Sequence, residues 1–278
     1  MILSGKAKLA GVMGWPVEHS RSPRLHGFWL ERYAIDGAYV PLAVPPEKIR
    51  AALRALPSLG FQGCNVTIPH KEAAFVEVDH LTEQAKKIGA VNTVIVLKDG
   101  TLRGDNTDGY GFIENLKAGT PDWSPDRPVV VLGAGGAARG ILVALQEAGV
   151  KEIRLTNRTV ERAEALAGEL GAITVIDWDR RGECLEDIGL LVNSTSLGMT
   201  GQAPLDISLH GLNKTAVVTD IVYSPLKTAL LEAAENRGNP AVDGLGMLLH
   251  QARPGFAAWF GREPEVSEDL RNFVLEDL

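Results

Sequence analysis

The stretch Val129-Val-Val-Leu-Gly133-Ala134-Gly135-Gly136-Ala137-Ala138 constrains this chain most, because an apolar, β-rich run leads directly into closely spaced glycines and then a helical pattern. Gly133 permits a tight turn, Gly135 lets the backbone approach a pyrophosphate, and the small Ala138 lets the helix pack closely on the strand. Free N–H groups at the helix start then face the phosphates. The pattern predicts a helix over about 136–147, stopped by Gly149, and a second strand in Glu152-Ile-Arg-Leu-Thr-Asn157. Together they form the βαβ unit of a dinucleotide site.

The residues after the second strand select the dinucleotide. An NAD site places an acidic side chain here for the ribose hydroxyls, whereas this chain has Asn157-Arg158-Thr159, with Arg162 one helical turn beyond Arg158. Two guanidiniums suit a 2′-phosphate, and a neutral Asn removes the carboxylate that would repel it. The alternative is that both arginines only decorate a solvated helix start, although cations there are disfavoured unless an anion is present.

With 278 residues, 45% apolar and 23% charged, the chain is long enough for two domains with substantial cores. A net charge of −7 argues against nucleic acid or an anionic membrane as the main partner. Two cysteines, Cys64 and Cys184, suggest neither a disulfide framework nor a zinc site, and the histidines show no metal-ligand spacing. The first residues lack the apolar run of a secretory signal, and no run has the length of a membrane span, so a cytoplasmic protein is expected.

Strands and helices alternate from the start: strands at 9–14, 38–44 and 63–68, with helices from Ser22, after Pro45-Pro46 and after Pro69. A hairpin follows around Lys98-Asp99-Gly100, then a helix over about 107–117. The turn-rich segment 119–128 reads as a domain boundary. Beyond it, strands at 129–132, 153–156, 190–193, 217–221 and near 240–242 suit a doubly wound parallel sheet, and helices are predicted over 247–260 and 267–275. The fold expected is α/β, with a first domain of 1–118 and 246–278, a second of 119–245, and an active-site cleft between them. The aromatic residues around Phe28-Trp29 and Trp259-Phe260 have helical spacing and read as core.

Three polar clusters mark the first domain. In Ser20-Arg-Ser22-Pro23, Ser22 reads as an N-cap and Pro23 as the first helical residue, which places two hydroxyls beside unpaired N–H groups able to hold a carboxylate; a purely local cap is the alternative. In Asn65-Val-Thr67-Ile-Pro69-His70-Lys71, alternation directs Asn65 and Thr67 to one face and Val66 and Ile68 to the other. Lys71 falls in the first turn of the next helix, where the dipole disfavours an ammonium ion, a setting that suits proton transfer; it also reads as an ordinary exposed lysine. The third cluster joins Asn92-Thr93 to Asn106-Thr107-Asp108-Gly109, with Asp108 either a helix cap or a carboxylate facing Lys71 and a substrate hydroxyl.

With these clusters in order before the dinucleotide turn, the chain resembles the shikimate dehydrogenase family, NADP-linked enzymes of aromatic amino acid biosynthesis on the way to chorismate. The resemblance covers nearly the whole chain. It extends through Gly89-Ala-Val-Asn92-Thr93, Asn193-Ser194-Thr195, Asp220-Ile221-Val-Tyr223 and Asp243-Gly244-Leu-Gly-Met247-Leu-Leu-His-Gln251.

The resemblance implies a substrate domain and a Rossmann-like NADP domain, with Lys71 and Asp108 as the catalytic pair. Ser20 and Ser22 would hold the substrate carboxylate, and Asn65, Thr67, Asn92, Asp108, Tyr223 and Gln251 would surround its hydroxyl-bearing ring. NADP would contact Gly133, Ala134, Gly135, Gly136, Ala137, Asn157, Arg158, Thr159, Arg162, Thr195, Ile221, Gly244 and Met247. Glu83 matches a further cofactor position and reads equally as a surface helix charge. The reaction implied is reversible reduction of 3-dehydroshikimate to shikimate without a metal, by a monomer or homodimer whose domains close on the ligands. A quinate or NAD preference is the neighbouring alternative, and a non-catalytic NADP sensor a more distant one.

Overall fold

The computed structural model describes residues 2–276. These form two compact units, one running to Thr107 and resuming at Gln251, the other spanning Asp108–His250.

The first unit contains β1 (Lys8–Gly14), α1 (Ser22–Arg32), β2 (Gly37–Ala43), α2 (Ile49–Ala55), β3 (Phe61–Val66), α3 (Lys71–Glu77), β4 (His80–Leu81), α4 (Glu83–Ile88), β5 (Thr93–Val96) and β6 (Leu102–Asp105). Its sheet has the order β2-β1-β3-β5-β6-β4. β1 runs parallel to β2 and β3, while β5 is antiparallel to both β3 and β6, because the hairpin after Val96 reverses the chain. One core joins Met13, Leu53, Leu56, Cys64, Val66, Ala74, Ala85 and Val94. A second, aromatic group holds Trp29, Tyr39, Phe256 and Trp259 around His26. Of the aromatic residues read as core, Trp29, Trp259 and Phe260 are buried, whereas Phe28 is half-buried and packs on Phe273.

The second unit contains α5 (Asp108–Gly119), β7 (Val129–Leu132), α6 (Gly136–Glu147), β8 (Ile153–Thr156), α7 (Val160–Leu170), β9 (Ile173–Ile176), β10 (Leu190–Asn193), β11 (Val217–Asp220), α8 (Ala229–Arg237), β12 (Ala241–Val242) and the start of α9 (Leu245–Phe260). The end of α9 and α10 (Glu268–Leu275) complete the first unit. All strands are parallel, in the order β9-β8-β7-β10-β11-β12. Helices on both faces explain why β7 and β10 are buried along their whole length and apolar throughout apart from Asn193. After β9 the chain crosses to β10 on the other side of β7, so the strand order reverses between β7 and β10. Ligand crevices in open α/β sheets form at such a switch point, beyond the strands' carboxyl ends.

The division falls earlier than the turn-rich segment at 119–128. Phe112 and Leu116 of α5 share one core with Val129, Val131, Ile141 and Leu145, so this helix belongs to the second unit. At the other end the division lies inside α9, between His250 and Gln251 rather than at 245/246.

Candidate active site

In the first unit, the end of β1 leads toward α1 through Ser20-Arg-Ser22. The expected cap is shifted: Ser22 and Pro23 are the first two helical residues, and the Ser22 N–H donates to the Ser20 hydroxyl at 3.3 Å. Arg21, with helical backbone angles, occupies the cap position and makes no side-chain cap bond, so the expected Ser22 cap is not formed. Both serine hydroxyls therefore remain at a helix start, Ser22 buried and Ser20 half-buried.

Strand β3 ends at Val66, and the alternation expected through Ile68 ends with it. Ile68 is 75% exposed and does not share the face of the buried Val66. The Thr67 N–H still bonds the Met13 carbonyl, and the Thr67 methyl lies over Gly14. The helix expected from Pro69 begins at Lys71. The buried His70 ring is held 2.7 Å from the Val44 carbonyl oxygen, so this histidine is structural. Lys71 is half-buried, and its carbonyl accepts the Val91 N–H, which fixes the helix start beside the segment carrying Asn92.

Asn65 and Asn92 meet in one buried network. Asn65 Nδ2 donates to the Asn92 carbonyl at 3.1 Å and to Thr93 Oγ1 at 3.2 Å, while its Oδ1 accepts from Tyr39 Oη at 2.6 Å. Asn92 Oδ1 accepts from Thr93 Oγ1 at 2.9 Å and from the Thr107 N–H at 2.9 Å. Thr107 Oγ1 donates to the Gln251 carbonyl at 2.9 Å, which ties α9 to the same network. The network holds the Asn65 and Asn92 amides in one orientation, so a polar ligand reaching them would meet groups already set in place.

In the second unit, the Gly133 N–H continues the sheet to the Thr156 carbonyl at 2.8 Å. Gly133 has φ +103°, and a Cβ there would stand 2.9 Å from the Thr195 methyl, a double reason for glycine. Gly135 and Gly136 are exposed, with no atom within 4 Å of where a Cβ would sit. Ala134 N–H donates to Asn157 Oδ1 at 3.1 Å and Asn157 Nδ2 donates to the Thr159 carbonyl at 2.8 Å, so Asn157 locks the glycine turn to the start of α7. Ala137 is half-buried in the first turn of α6, and Ala138 is fully buried against the core. Arg158, Thr159 and Arg162 are exposed, and neither arginine pairs with a carboxylate among the described residues.

The other cofactor candidates lie on loops tied together beneath the surface. Asn193 Oδ1 accepts from the Thr195 hydroxyl at 2.7 Å, and Asn193 Nδ2 donates to Asp220 Oδ1 at 3.0 Å. Asp220 also accepts from the Val222 N–H at 3.0 Å and the Thr228 hydroxyl at 2.8 Å. Burial raises its carboxyl above the ordinary value against these hydrogen bonds. Ile221 and Tyr223 flank Val222, and a Cβ on Gly244 would collide with the Ile221 carbonyl. Met247, in the first turn of α9, packs on the unit's core.

Asp108 is the buried first residue of α5. Glu83 lies in the first unit, exposed at the start of α4 and paired with Lys86 at 2.7 Å. Sequence reasoning missed Tyr39 altogether and took Thr93, Thr107, Asn193 and Asp220 only as motif members. Polar residues at the buried ends of strands were the available signal: Asn193 and Asp220 are direct partners in the β10–β11 register.

A parallel sheet with a glycine turn at its switch point, joined in one chain to a separate α/β unit carrying a buried polar network, defines a two-unit dinucleotide-dependent enzyme class. The chain belongs to the shikimate dehydrogenase family. Residues 12–94 match the shikimate dehydrogenase substrate binding domain and residues 119–200 the shikimate / quinate 5-dehydrogenase family. The chain is 63% identical over 275 residues to the shikimate dehydrogenase (NADP(+)) of Paramagnetospirillum magneticum, covering 98% of this chain and 100% of the relative. A solved shikimate 5-dehydrogenase from Thermus thermophilus, in complex with NADP(H) and shikimate, superposes with TM-score 0.87 at 36% identity, covering 98% and 100%. Quinate dehydrogenase from Corynebacterium glutamicum in complex with NAD superposes with TM-score 0.90 at 31% identity, covering 97% and 99%.

Proposed function

We propose that the protein catalyses the reversible, NADP-linked interconversion of 3-dehydroshikimate and shikimate. The observation that carries the cofactor choice is the pair Arg158 and Arg162, exposed and without carboxylate partners among the described residues, next to a neutral Asn157. The residues fit the group. The bare surface over Gly135 and Gly136 leaves room for a pyrophosphate, and the arginines supply paired donors for a 2′-phosphate. The NADP relative at 63% identity supports the same choice.

NADPH, when bound, supplies the hydride for the carbonyl carbon. In reduction Lys71 gives a proton to the oxygen as negative charge develops there, and in oxidation it takes that proton from the alcohol. Asp108 accepts a hydrogen bond from the substrate's hydroxyl region and orients it. Ser20 and Ser22 hold the carboxylate, and Asn65, Thr67, Asn92, Tyr223 and Gln251 bind around the ring. Gly133, Ala134, Gly135, Gly136 and Ala137 would hold the cofactor's phosphates, Asn157, Arg158, Thr159 and Arg162 its 2′-phosphate-bearing ribose, and Thr195, Ile221, Gly244 and Met247 would complete its site. Glu83, engaged with Lys86, is the weakest member of the set.

The quinate dehydrogenase likeness supports a second reading, use of quinate or NAD. Mixing the purified protein with shikimate and NADP⁺ tests the main one: shikimate-dependent formation of reduced nicotinamide and of 3-dehydroshikimate is expected. Absence of both products rejects it.

A further inference from the structure

Tyr39 is fully enclosed in the first unit, yet its hydroxyl reaches the network that contains Asn65. Its ring lies flat on His26, with centroids 3.9 Å apart and planes 5° from parallel. Trp259 flanks the pair and donates its indole N–H to the Val94 carbonyl at 3.0 Å, so the stack is held in place.

The chemistry of the network fixes which way each group points. The Asn92 carbonyl can only accept, so the Asn65 atom 3.1 Å from it is the amide nitrogen. The second proton of that nitrogen goes to Thr93 Oγ1, whose own proton goes to Asn92 Oδ1. Asn65 therefore has no donor left. Its oxygen takes the Tyr39 proton, and an amide oxygen can accept a second hydrogen bond.

We propose that Tyr39 is a positioning residue for substrate: its hydroxyl locks Asn65 with the amide oxygen as an acceptor, so that Asn65 selects a ligand hydroxyl. The inference rests on the shikimate reading, because it assigns Asn65 to the ligand. It predicts that Tyr39 acts on a polyhydroxylated substrate and leaves the dinucleotide untouched. Burial raises the Tyr39 phenol well above its ordinary value, so the hydroxyl stays a donor throughout the working pH range.

Tyr39→Phe keeps the ring on His26 and removes only the hydroxyl. The expected result is a rise in the shikimate KM of roughly five- to tenfold, with the NADP⁺ KM and kcat within about twofold of wild type. Asn65→Ala is expected to give the same selective rise, and the double variant is expected to be no worse than Asn65→Ala alone. An unchanged shikimate KM in Tyr39→Phe, or additive effects in the double variant, overturns the proposal. So does a parallel rise of both KM values, the mark of general structural damage. If Tyr39→Phe does not fold, an Asn65→Ala protein with an unaltered shikimate KM is sufficient to reject it. Wild-type protein without shikimate turnover rejects the functional reading and this inference together; active wild type with a silent Tyr39→Phe rejects the inference alone.

Discussion

The polar groups of the two units are held in opposite ways. In the first, Asn65, Asn92, Thr93 and Thr107 are buried and bonded to one another, so their orientation is set by the protein. In the second, the dinucleotide turn offers exposed glycine backbone and two arginines without carboxylate partners among the described residues. A buried, mutually satisfied network gives a small ligand fixed donors and acceptors at little reorganisation cost. An exposed cationic turn instead waits for the ligand's phosphates to complete it. Substrate selectivity is thus expected to depend on hydrogen-bond geometry, and cofactor selectivity on charge.

The largest effect should separate chemistry from cofactor binding. Lys71→Ala is expected to lower kcat by about 10²- to 10⁴-fold while NADP⁺ binding, followed by titration, stays within about twofold. Equal losses in both would erase the distinction between the units. Arg158→Ala comes next: steady-state kinetics should show the NADP⁺ KM rising about 10- to 100-fold with the NAD⁺ KM nearly unchanged. A uniform rise for both cofactors would assign the arginine to the turn's structure instead of to a 2′-phosphate.

His26 sharpens the contrast, because the satisfied network rests on an unsatisfied ring. Among the described residues neither of its nitrogens makes a hydrogen bond of ordinary geometry, and burial pushes its pKa from 6.5 down to about 3, against a smaller opposing effect of the nearby Asn65 side chain. Between these values the unfolded chain takes up a proton that the folded one refuses. This contribution to stability is complete above pH 6.5 and is lost progressively as pH falls toward 3. Denaturant unfolding across that window should show His26→Phe losing less stability than wild type, by up to about 1.4 kcal/mol per pH unit. Parallel pH profiles would contradict it.

The smallest expected effect probes a buried network in the cofactor unit that resembles the substrate network. Asp220→Asn keeps the shape but weakens the ties to Asn193, Val222 and Thr228, and should raise the NADP⁺ KM roughly fivefold without moving the shikimate KM. A shift in the shikimate KM instead would break the assignment of these loops to the cofactor.

The glycine turn was legible in the sequence because its parts are local: Gly133, Asn157 and Arg158 lie at the ends of adjacent strands joined by one helix. The parallel strands from β7 to β12 followed from apolar runs, except β9, a short, half-buried edge strand without a continuous apolar signature. In the substrate unit Asn65, Lys71 and Asn92 stood out as polar residues at strand and helix ends, whereas Tyr39 did not. It sits in an ordinary β pattern, and its role arises from a partner brought alongside by the sheet. Ser22 differs from the expected cap because the helix already starts with it, and Ile68 leaves the face it was expected to share with Val66 because the strand stops short of it. The unit boundary was hidden since α5 is assigned by its packing, not by the glycines and prolines that follow it.

The most direct test is the set of kcat/KM values for shikimate and quinate, each with NADP⁺ and NAD⁺. The expected result is a preference of at least about 10-fold for shikimate with NADP⁺ over every other pair, as a geometrically fixed substrate site and a charge-selective cofactor site require. Equal use of both cofactors, or better turnover of quinate with NAD⁺, would contradict it.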